Sequence, residues 1–520
     1  MIKGSMRERV QGRKAERFRP VRVETKNNFL GKAEFITACL LLAAQVLFVL
    51  ALYIFLCVFA PVFFYISLGL TALTGVFIFI TDTDGQCKAS WLMLMLVSGG
   101  CGFLIYILAH KSVCYGGNKS KFDKLYKKSV KFTPPSVRVS DAIKADCDYL
   151  FNAGGFSAYS GTNVKYFDYA KPLFDEMFSR IESAKSFIFI EFFILADGYL
   201  LERLLKILKR KLDEGVEVRV LYDGAGSYAP LKPSTKKRMH AMGIELVAFA
   251  PLLSPFGFGL NFRDHRKIVV IDGKTGFVCG CNIADECVNL KRAKGVWKDA
   301  GLRLDGSAVD GLTLAFLRQW DFTLKCDGEW DGYLNRFEKI ENNSTVVPFA
   351  GGPDLTEPIC RTAYANMIRG ARQRLYIMTP YFNPDGEMLK LIKERALSGV
   401  DVRLVLPSIP DWQFLYKVTQ ANAEKLIASG VKVYFTPRTF LHSKVILSEN
   451  CCITGSVNID MRTFYQEFDN AVLTDDNGVM REIEGDFNSV FAVTSPAQQK
   501  RRGLINALIT SVLKIFSPLM

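Results

Sequence analysis

Histidine is scarce in this sequence, with four among 520 residues. Charge is absent from Phe35 to Thr81, a run about twice as long as one membrane-spanning helix requires. The thirteen cysteines form no paired framework, because Cys451-Cys452 and Cys279-x-Cys281 lack second ligand pairs. A Walker A loop, a dinucleotide-binding fingerprint and RNA-binding motifs are also missing. These absences argue against zinc-finger, nucleotide-binding and disulfide-stapled proteins, and the cysteines are expected to be reduced structural thiols.

Two of the four histidines stand in matched settings. In chain order the settings are His265-Arg266-Lys267 with Asp272 and Gly280-Cys281-Asn282, and His442-Ser443-Lys444 with Glu449 and Gly455-Ser456-Val457-Asn458. A single His-x-Lys occurs readily by chance, but two copies with the same continuation indicate shared chemistry. The other two histidines are expected to be ordinary, since His110 ends an apolar run and His240 lies in a basic helical stretch.

Each motif is predicted to lie on a β-hairpin. The runs Ile268–Ile271 and Val445–Leu447 are β-branched or apolar, which is typical of buried strands. Because side chains alternate along a strand, each motif's histidine and lysine share one face, and Arg266 lies on the other. After a tight turn, a returning strand brings polar groups to the same face. The groups predicted to bind phosphate oxygens there are Asn282, Ser456 and Asn458.

Two such hairpins facing each other suit chemistry on a phosphate ester. They supply a nucleophile, a general acid and several donors for phosphate oxygens. Two further acids open the next apolar strands, and we expect Asp299 and Asp469 to accept the second ring N–H of His265 and His442. The motif acids Asp272 and Glu449 fall at the turn on the opposite strand parity, which favours a structural role for them.

The chain resembles the phospholipase D superfamily and, within it, the bacterial cardiolipin synthases. The segments that carry the resemblance are Asn261–Lys274, Asn282–Glu286, Thr379–Asp385, Phe440–Lys444 and Gly455–Phe464. The resemblance implies a catalytic set drawn from both HxKxxxxD-type motifs, namely His265, Lys267, Asp272, His442, Lys444 and Glu449. This sequence departs from the family pattern at Glu449, where Asp is usual, and at Cys279, where Gly is usual.

The amino-terminal fifth is predicted to be a basic arm followed by a membrane anchor. Residues 1–33 form a basic cytoplasmic arm, and residues 34–110 contain apolar segments at about 35–58, 62–81 and 90–109, separated at Pro61 and at a polar break. Both flanks of this region are basic, which favours an even number of crossings. The resemblance implies a multi-pass cell-membrane protein with a cytoplasmic catalytic part.

The remainder is predicted to be an α/β fold made of two duplicated phospholipase D-like units. Residues 111–345 and 346–497 echo each other in their strands, helices and hairpins, which indicates mixed central sheets packed about a pseudo-twofold axis. The active site is expected on that axis, where both hairpins meet. Residues 498–520 read as a basic amphipathic helix, which either lies in the lipid headgroup region or docks on the catalytic domain.

The resemblance implies that two phosphatidylglycerol molecules react to give cardiolipin and glycerol through a phosphohistidine, with His265 favoured as the nucleophile by analogy. A formal charge of +14 fits nucleic acid or an anionic membrane surface, and the apolar run favours the membrane without a nucleic-acid partner. No metal or cofactor is called for. The alternatives are a phospholipase D hydrolase, a transferase with another alcohol acceptor, a nuclease and a non-catalytic lipid-binding scaffold.

Overall fold

The computed structural model describes residues 61–80, 85–109, 119–134, 137–251, 262–292 and 295–499, with scattered residues at 44–59 and 510–514. The chain divides into two compact units, Met1–Phe48 and Val49–Met520. Three residues of the first unit are described, and they are helical: Ala44, Leu47 and Phe48. The predicted arm (1–33) lies outside the described residues, as do most of the first apolar segment (35–58) and of the carboxyl-terminal helix (498–520).

The second unit begins with apolar helices. They are α1 (Pro61–Ile80), α2 (Gly85–Ser98), a 3₁₀ turn (Gly99–Cys101) and α3 (Gly102–Ala109). Two stretches, Val62–Ile80 and Lys88–Ile107, are long and apolar enough to cross a membrane. Small and hydroxylic residues let these helices approach closely, and the Thr71 hydroxyl donates to the Gly100 carbonyl at 3.0 Å. The stretches coincide with the predicted segments 62–81 and 90–109, and their crossing of a membrane stays a prediction.

The first half of the catalytic part folds around a seven-stranded sheet. Its elements are β1 (Thr162–Phe167), α6 (Ala170–Glu182), β2 (Phe187–Phe192), α7 (Tyr199–Asp213), β3 (Glu217–Asp223), α8 (Pro233–Ala241), β4 (Glu245–Phe249), β5 (Lys267–Ile271), β6 (Thr275–Cys279), β7 (Val296–Lys298), β8 (Gly301–Gly306) and α9 (Val309–Leu324). The strand order is β1-β8-β6-β5-β2-β3-β4. Strands β2, β3 and β4 are parallel, and the other pairs are antiparallel.

The second half repeats this arrangement. Its elements are β9 (Val346–Gly351), α10 (Ile359–Gly370), β10 (Arg374–Met378), β11 (Phe382–Asn383), α11 (Gly386–Leu397), β12 (Asp401–Pro407), α12 (Gln413–Ile427), β13 (Lys432–Thr436), β14 (Thr439–Leu441), β15 (Val445–Ser448), β16 (Cys452–Gly455), β17 (Ile459–Asp460), α13 (Met461–Tyr465), β18 (Asp469–Thr474) and α14 (Asn477–Phe491). The order β13-β12-β10-β15-β16-β18-β9 matches the first sheet strand for strand, in direction as well as position. The predicted duplication of an α/β unit is confirmed.

The two halves share one hydrophobic core. A single cluster of buried side chains joins Phe189 and Leu302 of the first sheet to Val405 and Val472 of the second. Helix α9 lies in this cluster and is buried along most of its length, including its polar residues Asp310, Arg318, Gln319 and Asp321.

Two helices precede the first sheet, α4 (Lys119–Val130) and α5 (Lys144–Gly154). Phe122 of α4 stacks on Phe322 of α9. Side chains from residues 143–158 pack with α10 in the core of the second sheet, although they come before the first sheet in the chain. The halves are therefore interleaved and do not separate at one point of the sequence.

Asp272 and Glu449, the acids at the two hairpin turns, each accept hydrogen bonds from the backbone at the start of a neighbouring strand. The Asp272 carboxylate accepts three backbone N–H groups at 2.7–3.0 Å, those of Lys185, Ser186 and Phe187. Glu449 accepts two, from Arg372 at 2.6 Å and Arg374 at 3.3 Å. The longer Glu side chain thus reaches the equivalent loop of the second half, consistent with the structural role that strand parity favours.

We expect Asp272→Ala to lower the free energy of unfolding by about 1–3 kcal/mol, because it leaves backbone donors without their acceptor. Glu449→Ala should cost less, since fewer donors lose their partner. Thermal unfolding of the full-length protein in detergent measures both changes. An unchanged thermal midpoint with activity abolished in Asp272→Ala would instead indicate a catalytic role for this acid.

Candidate active site

Two buried histidine–aspartate pairs form the centre of the site. His265 Nδ1 lies 2.8 Å from Asp469 Oδ1, and His442 Nδ1 lies 2.6 Å from Asp299 Oδ2. An ionised carboxylate only accepts hydrogen bonds, so an Nδ1 that faces an ionised aspartate carries the proton and its Nε2 keeps the lone pair. In each pair the histidine and the aspartate come from different halves of the chain. The sequence predicted which four residues meet, but not that each histidine takes its acid from the other half.

Backbone pairing between the halves produces this exchange. Strand β14, which leads into His442, pairs in parallel with β7, which leads into Asp299. The His442 N–H donates to the Lys298 carbonyl at 2.7 Å, and the His265 N–H donates to the Phe468 carbonyl at 2.8 Å. The residue before each histidine thus lies beside the residue before the other half's acid.

The two motif lysines are buried in the same centre. Lys267 Nζ donates to the His265 carbonyl, and Lys444 Nζ donates to the His442 carbonyl. Lys444 Nζ also lies 2.8 Å from His442 Nδ1 and 3.2 Å from His442 Nε2. Within the described part of the chain, Lys267 Nζ makes no such contact with the His265 ring. The two histidines therefore differ in how closely the motif lysine approaches the imidazole.

Aromatic rings form the walls around the imidazoles. The Phe193 ring lies edge-to-face with His265 at a centroid separation of 5.1 Å. Trp297 lies 4.9 Å from the His442 ring, Phe440 stacks on that ring at 5.8 Å, and Tyr381 meets it edge-on at 6.5 Å. These rings exclude water from the histidines and strengthen the electrostatic interactions between them and their neighbours.

Burial and positive charge keep both imidazoles neutral in the free protein. Burial, together with the charge of Lys267, holds the pKa of His265 well below its ordinary value. Burial and the charge of Lys444 lower the pKa of His442 to about 4. In each case the lysine of the opposite half contributes as well, which shows that the two hairpins act on each other electrostatically.

The other charged groups of the centre are also shifted. Burial lowers the pKa of Lys444 to about 8. Burial raises the pKa of Asp469 to about 7, although Lys267 and Ser456 oppose that shift. Burial disfavours ionised Asp299 too, but Lys444 and His442 outweigh it and leave its pKa below the ordinary value. The centre thus contains groups that titrate near neutral pH.

The predicted phosphate-binding side chains lie in this region, each with a partner of its own. The Asn282 side-chain oxygen accepts the Ile194 N–H at 3.2 Å. The Asn458 amide contacts Thr463 Oγ1 at 3.3 Å. The Ser456 hydroxyl donates to Asp469 Oδ1 at 2.6 Å, a contact by which it positions the acid of His265. Binding of phosphate by these three residues remains a prediction.

The two hairpins differ in the residue that lies against the histidine-orienting acid. Gly280 occupies the position equivalent to Ser456, and a Cβ there would come within 2.3 Å of Asp299 Oδ1. The first hairpin therefore has no room for a serine at this point. Asp299 instead accepts the Ala300 N–H at 3.0 Å and contacts Trp297 Nε1 at 3.4 Å. Cys279 is buried, and its Sγ lies 3.5 Å from the Cys281 carbonyl.

Sequence reasoning missed two residues that support the motifs. Asn470 directly follows Asp469 and accepts the Lys267 N–H at 3.1 Å. Glu191 of β2, the strand that pairs with β5, is fully buried and lies 3.9 Å from the Arg266 guanidinium. Arg266 faces away from the site, as alternation along the strand predicts. The sequence signal for Glu191 was its position as a charged residue within the otherwise apolar run of β2.

Three side chains at the centre have ligand atoms close enough to hold a cation. One ligand atom each from His265, Glu467 and Asp469 lies within 4.8 Å of the others. His265 Nδ1 and Asp469 Oδ1 are already hydrogen-bonded to each other, which occupies one possible ligand atom of each residue. Of the remaining histidines, His240 is exposed on α8, and His110 lies outside the described residues.

The duplicated sheet, the paired HxK hairpins and the buried histidine–aspartate pairs define a two-repeat protein of the phospholipase D superfamily. The pattern described as "Cardiolipin synthase, PLD-like domain" matches residues 177–298 and 364–491. The sequence is 31% identical over 466 residues to a cardiolipin synthase of Clostridium perfringens, covering 85% of this chain and 96% of that protein. The chain belongs to the cardiolipin synthase family of enzymes.

Other comparisons agree with this assignment. The sequence is 36% identical over 354 residues to cardiolipin synthase 2 of Bacillus anthracis, covering 67% of this chain and 68% of that one. The fold is similar to a phosphatidylserine synthase of Haemophilus influenzae, with a TM-score of 0.55 and 13% identity over 73% of this chain and 98% of that chain. At this low identity the structural likeness establishes the fold alone. The resemblance seen in the sequence is confirmed.

The shifted groups predict a bell-shaped pH dependence of kcat/KM, with its maximum between the pKa of Asp469, about 7, and that of Lys444, about 8. Asp469 must be ionised to hold the His265 tautomer, which requires a pH above its pKa. Lys444 must be protonated, which requires a pH below its pKa. The pH profile of kcat/KM reports these groups in the free enzyme.

Lys444→Arg provides the control for the alkaline limb. Since a guanidinium stays charged across this range, that limb should move to higher pH while the acidic limb remains. An alkaline limb that does not move would show that another group titrates there.

Proposed function

We propose that this protein transfers a phosphatidyl group between two phosphatidylglycerol molecules, giving cardiolipin and glycerol. The observation that carries this proposal is the pair of buried His–Asp units, which share one centre with two lysines. One imidazole serves as the nucleophile and the other as the proton donor and acceptor. Family membership and the names of the related proteins support the choice of substrate.

His265 is the proposed nucleophile. Its Nδ1–H is held by Asp469, so that Nε2 presents its lone pair. In the first step Nε2 attacks the phosphorus of the donor lipid, the bond from phosphorus to the glycerol oxygen breaks, and His442 gives that oxygen a proton. The products are phosphatidyl-His265 and glycerol.

His442 must carry a proton for this step. The negative phosphodiester raises the pKa of His442 when it binds, because an opposite charge favours imidazolium. Until then the charge of Lys444, whose Nζ lies 2.8 Å from Nδ1 and 3.2 Å from Nε2, disfavours the imidazolium. Asp299 stabilises the imidazolium through its hydrogen bond to Nδ1.

In the second step, His442 removes a proton from a hydroxyl of the acceptor phosphatidylglycerol. The resulting oxygen attacks the phosphorus, the bond to His265 Nε2 breaks, and cardiolipin is released. Lys267 and Lys444 offset the negative charge that grows on the non-bridging oxygens in both steps, with Asn282 and Asn458 as further donors. Ser456 acts on the reaction through Asp469.

The enzyme is proposed to work at the inner face of the cell membrane as a multi-pass protein with a cytoplasmic catalytic part. The two apolar stretches in residues 62–107 support membrane association, and the basic residues of helix α4 support a cytoplasmic position for the catalytic part. A membrane anchor keeps the acceptor lipid concentrated beside the site, and this favours transfer over hydrolysis.

The purified full-length protein in liposomes with labelled phosphatidylglycerol should form cardiolipin and glycerol, and both His265→Ala and His442→Ala should abolish that product. Lipid chromatography of the products measures the outcome. Phosphatidic acid as the main product would make the protein a hydrolase, and a different diester would indicate another alcohol acceptor. Full activity in either variant would contradict the two-histidine mechanism.

Phosphatidylglycerol labelled at phosphorus should leave an acid-labile, base-stable label on His265 after rapid quenching. Peptide mapping locates the label, and wild-type protein quenched after excess unlabelled lipid provides the control, because turnover discharges the adduct. A label on His442 would exchange the two roles without changing the overall reaction.

A further inference from the structure

Two surface segments lie beside the active site at the same edge of their sheets. Segment 285–292 follows β6, and segment 408–417 follows β12. Strand β6 runs in the direction of β2, and β12 runs parallel to β10, so each segment begins at the edge of its sheet where those strands end. Segment 408–417 also approaches Gly295, three residues after the first segment: a Cβ on Gly295 would come within 3.1 Å of Ile409 Cδ1.

Both segments are connected to His442 by short chains of contacts. Tyr381 meets the His442 ring edge-on and donates its hydroxyl to Asp411 at 2.7 Å. Trp297, which packs on the same ring, exchanges two hydrogen bonds with the Asn289 side chain, at 2.7 and 2.8 Å. The residues that follow Asn289 and Asp411 in the chain therefore lie close to the active site.

Large apolar side chains are exposed on these segments. Trp412 is 59% exposed, Leu290 is 52% exposed and Phe414 is 40% exposed. The Trp412 and Phe414 rings pack against each other at a centroid distance of 5.9 Å. A tryptophan beside other apolar groups is typical of side chains that enter the boundary between lipid headgroups and acyl chains.

Basic side chains accompany the apolar ones. Lys291 and Arg292 follow Leu290, and Lys417 lies one turn along α12 from Phe414; all three are exposed. Lys291 is ion-paired with the buried Asp285 at 3.6 Å, and Glu286 is the exposed acid of the two segments. Arg292 and Lys417 therefore supply the positive charge that an anionic leaflet attracts.

We propose that this rim, made of Leu290, Lys291, Arg292, Trp412, Phe414 and Lys417, docks on the surface of an anionic phospholipid bilayer. Trp412 and Phe414 enter the headgroup boundary, and Arg292 and Lys417 contact lipid phosphates. The inference rests on the proposed function, because a phosphatidylglycerol headgroup has to pass from the bilayer to a buried site. A rim seated on the bilayer gives that headgroup a path past Trp297 and Tyr381.

The test uses full-length protein in phosphatidylglycerol vesicles that contain lipids brominated on their acyl chains. The emission of Trp412 is obtained as the difference between wild-type protein and Trp412→Phe. Bromine should decrease this difference by roughly half, since interfacial side chains lie about 5–10 Å into the headgroup boundary. Phe414→Trp in the Trp412→Phe background should be quenched similarly.

Leu397→Trp in the same background is the matched control. Leu397 is 72% exposed, but it ends α11 at the opposite edge of the second sheet, before β12 begins. This tryptophan should not be quenched. Equal quenching at positions 397 and 412, or none at position 412, would overturn the proposal.

Replacing phosphatidylglycerol by phosphatidylcholine, or reversing charge with Arg292→Glu and Lys417→Glu, should weaken the quenching of Trp412. Quenching that does not change would overturn the role of the basic residues. Because the fluorescence needs no turnover, it separates the two proposals. Cardiolipin formation without quenching would contradict the docking alone, and quenching without cardiolipin would contradict the proposed reaction alone.

Discussion

The exchange of acids between the halves is the constraint on which the site depends. Each histidine is oriented by an aspartate from the other repeat, and short stretches of backbone pairing hold both contacts. Position and tautomer are therefore set by the packing of the two sheets on one shared core. Residues far from the chemistry matter because they fix how the halves meet. A small misplacement of either imidazole would cost much of the rate.

Burial also shifts the pKa values of the lysines and histidines in the centre. Lysines and histidines removed from water both shift toward their neutral forms. Lys267 and Lys444 lie near Asp299 and Asp469, whose carboxylates balance part of their charge. Two ammonium groups in one buried centre favour an anionic phosphodiester over a neutral ester.

Much of the fold and site could be predicted from short-range patterns. Strand alternation predicted the hairpins and the face of Arg266, and the repeated motifs predicted the duplication and the pairs of histidine and lysine. The exchange of Asp299 and Asp469 could not be predicted, because it depends on contacts between segments about 140 to 200 residues apart in the chain. For the same reason, residues 143–158 were not expected in the core of the second sheet. The contact of the Ser456 hydroxyl with Asp469 was also not expected, and phosphate binding by Ser456 stays a prediction.

The interleaving of the halves restricts how the duplicated repeats can diverge. A single half would hold a histidine without its acid, so on its own it could work only by borrowing that acid from a second copy. The two repeats in one chain therefore constrain each other. The Ser456 hydroxyl contacts Asp469 and Gly280 leaves room for Asp299, each within its own half, while each of these acids orients the histidine of the opposite half.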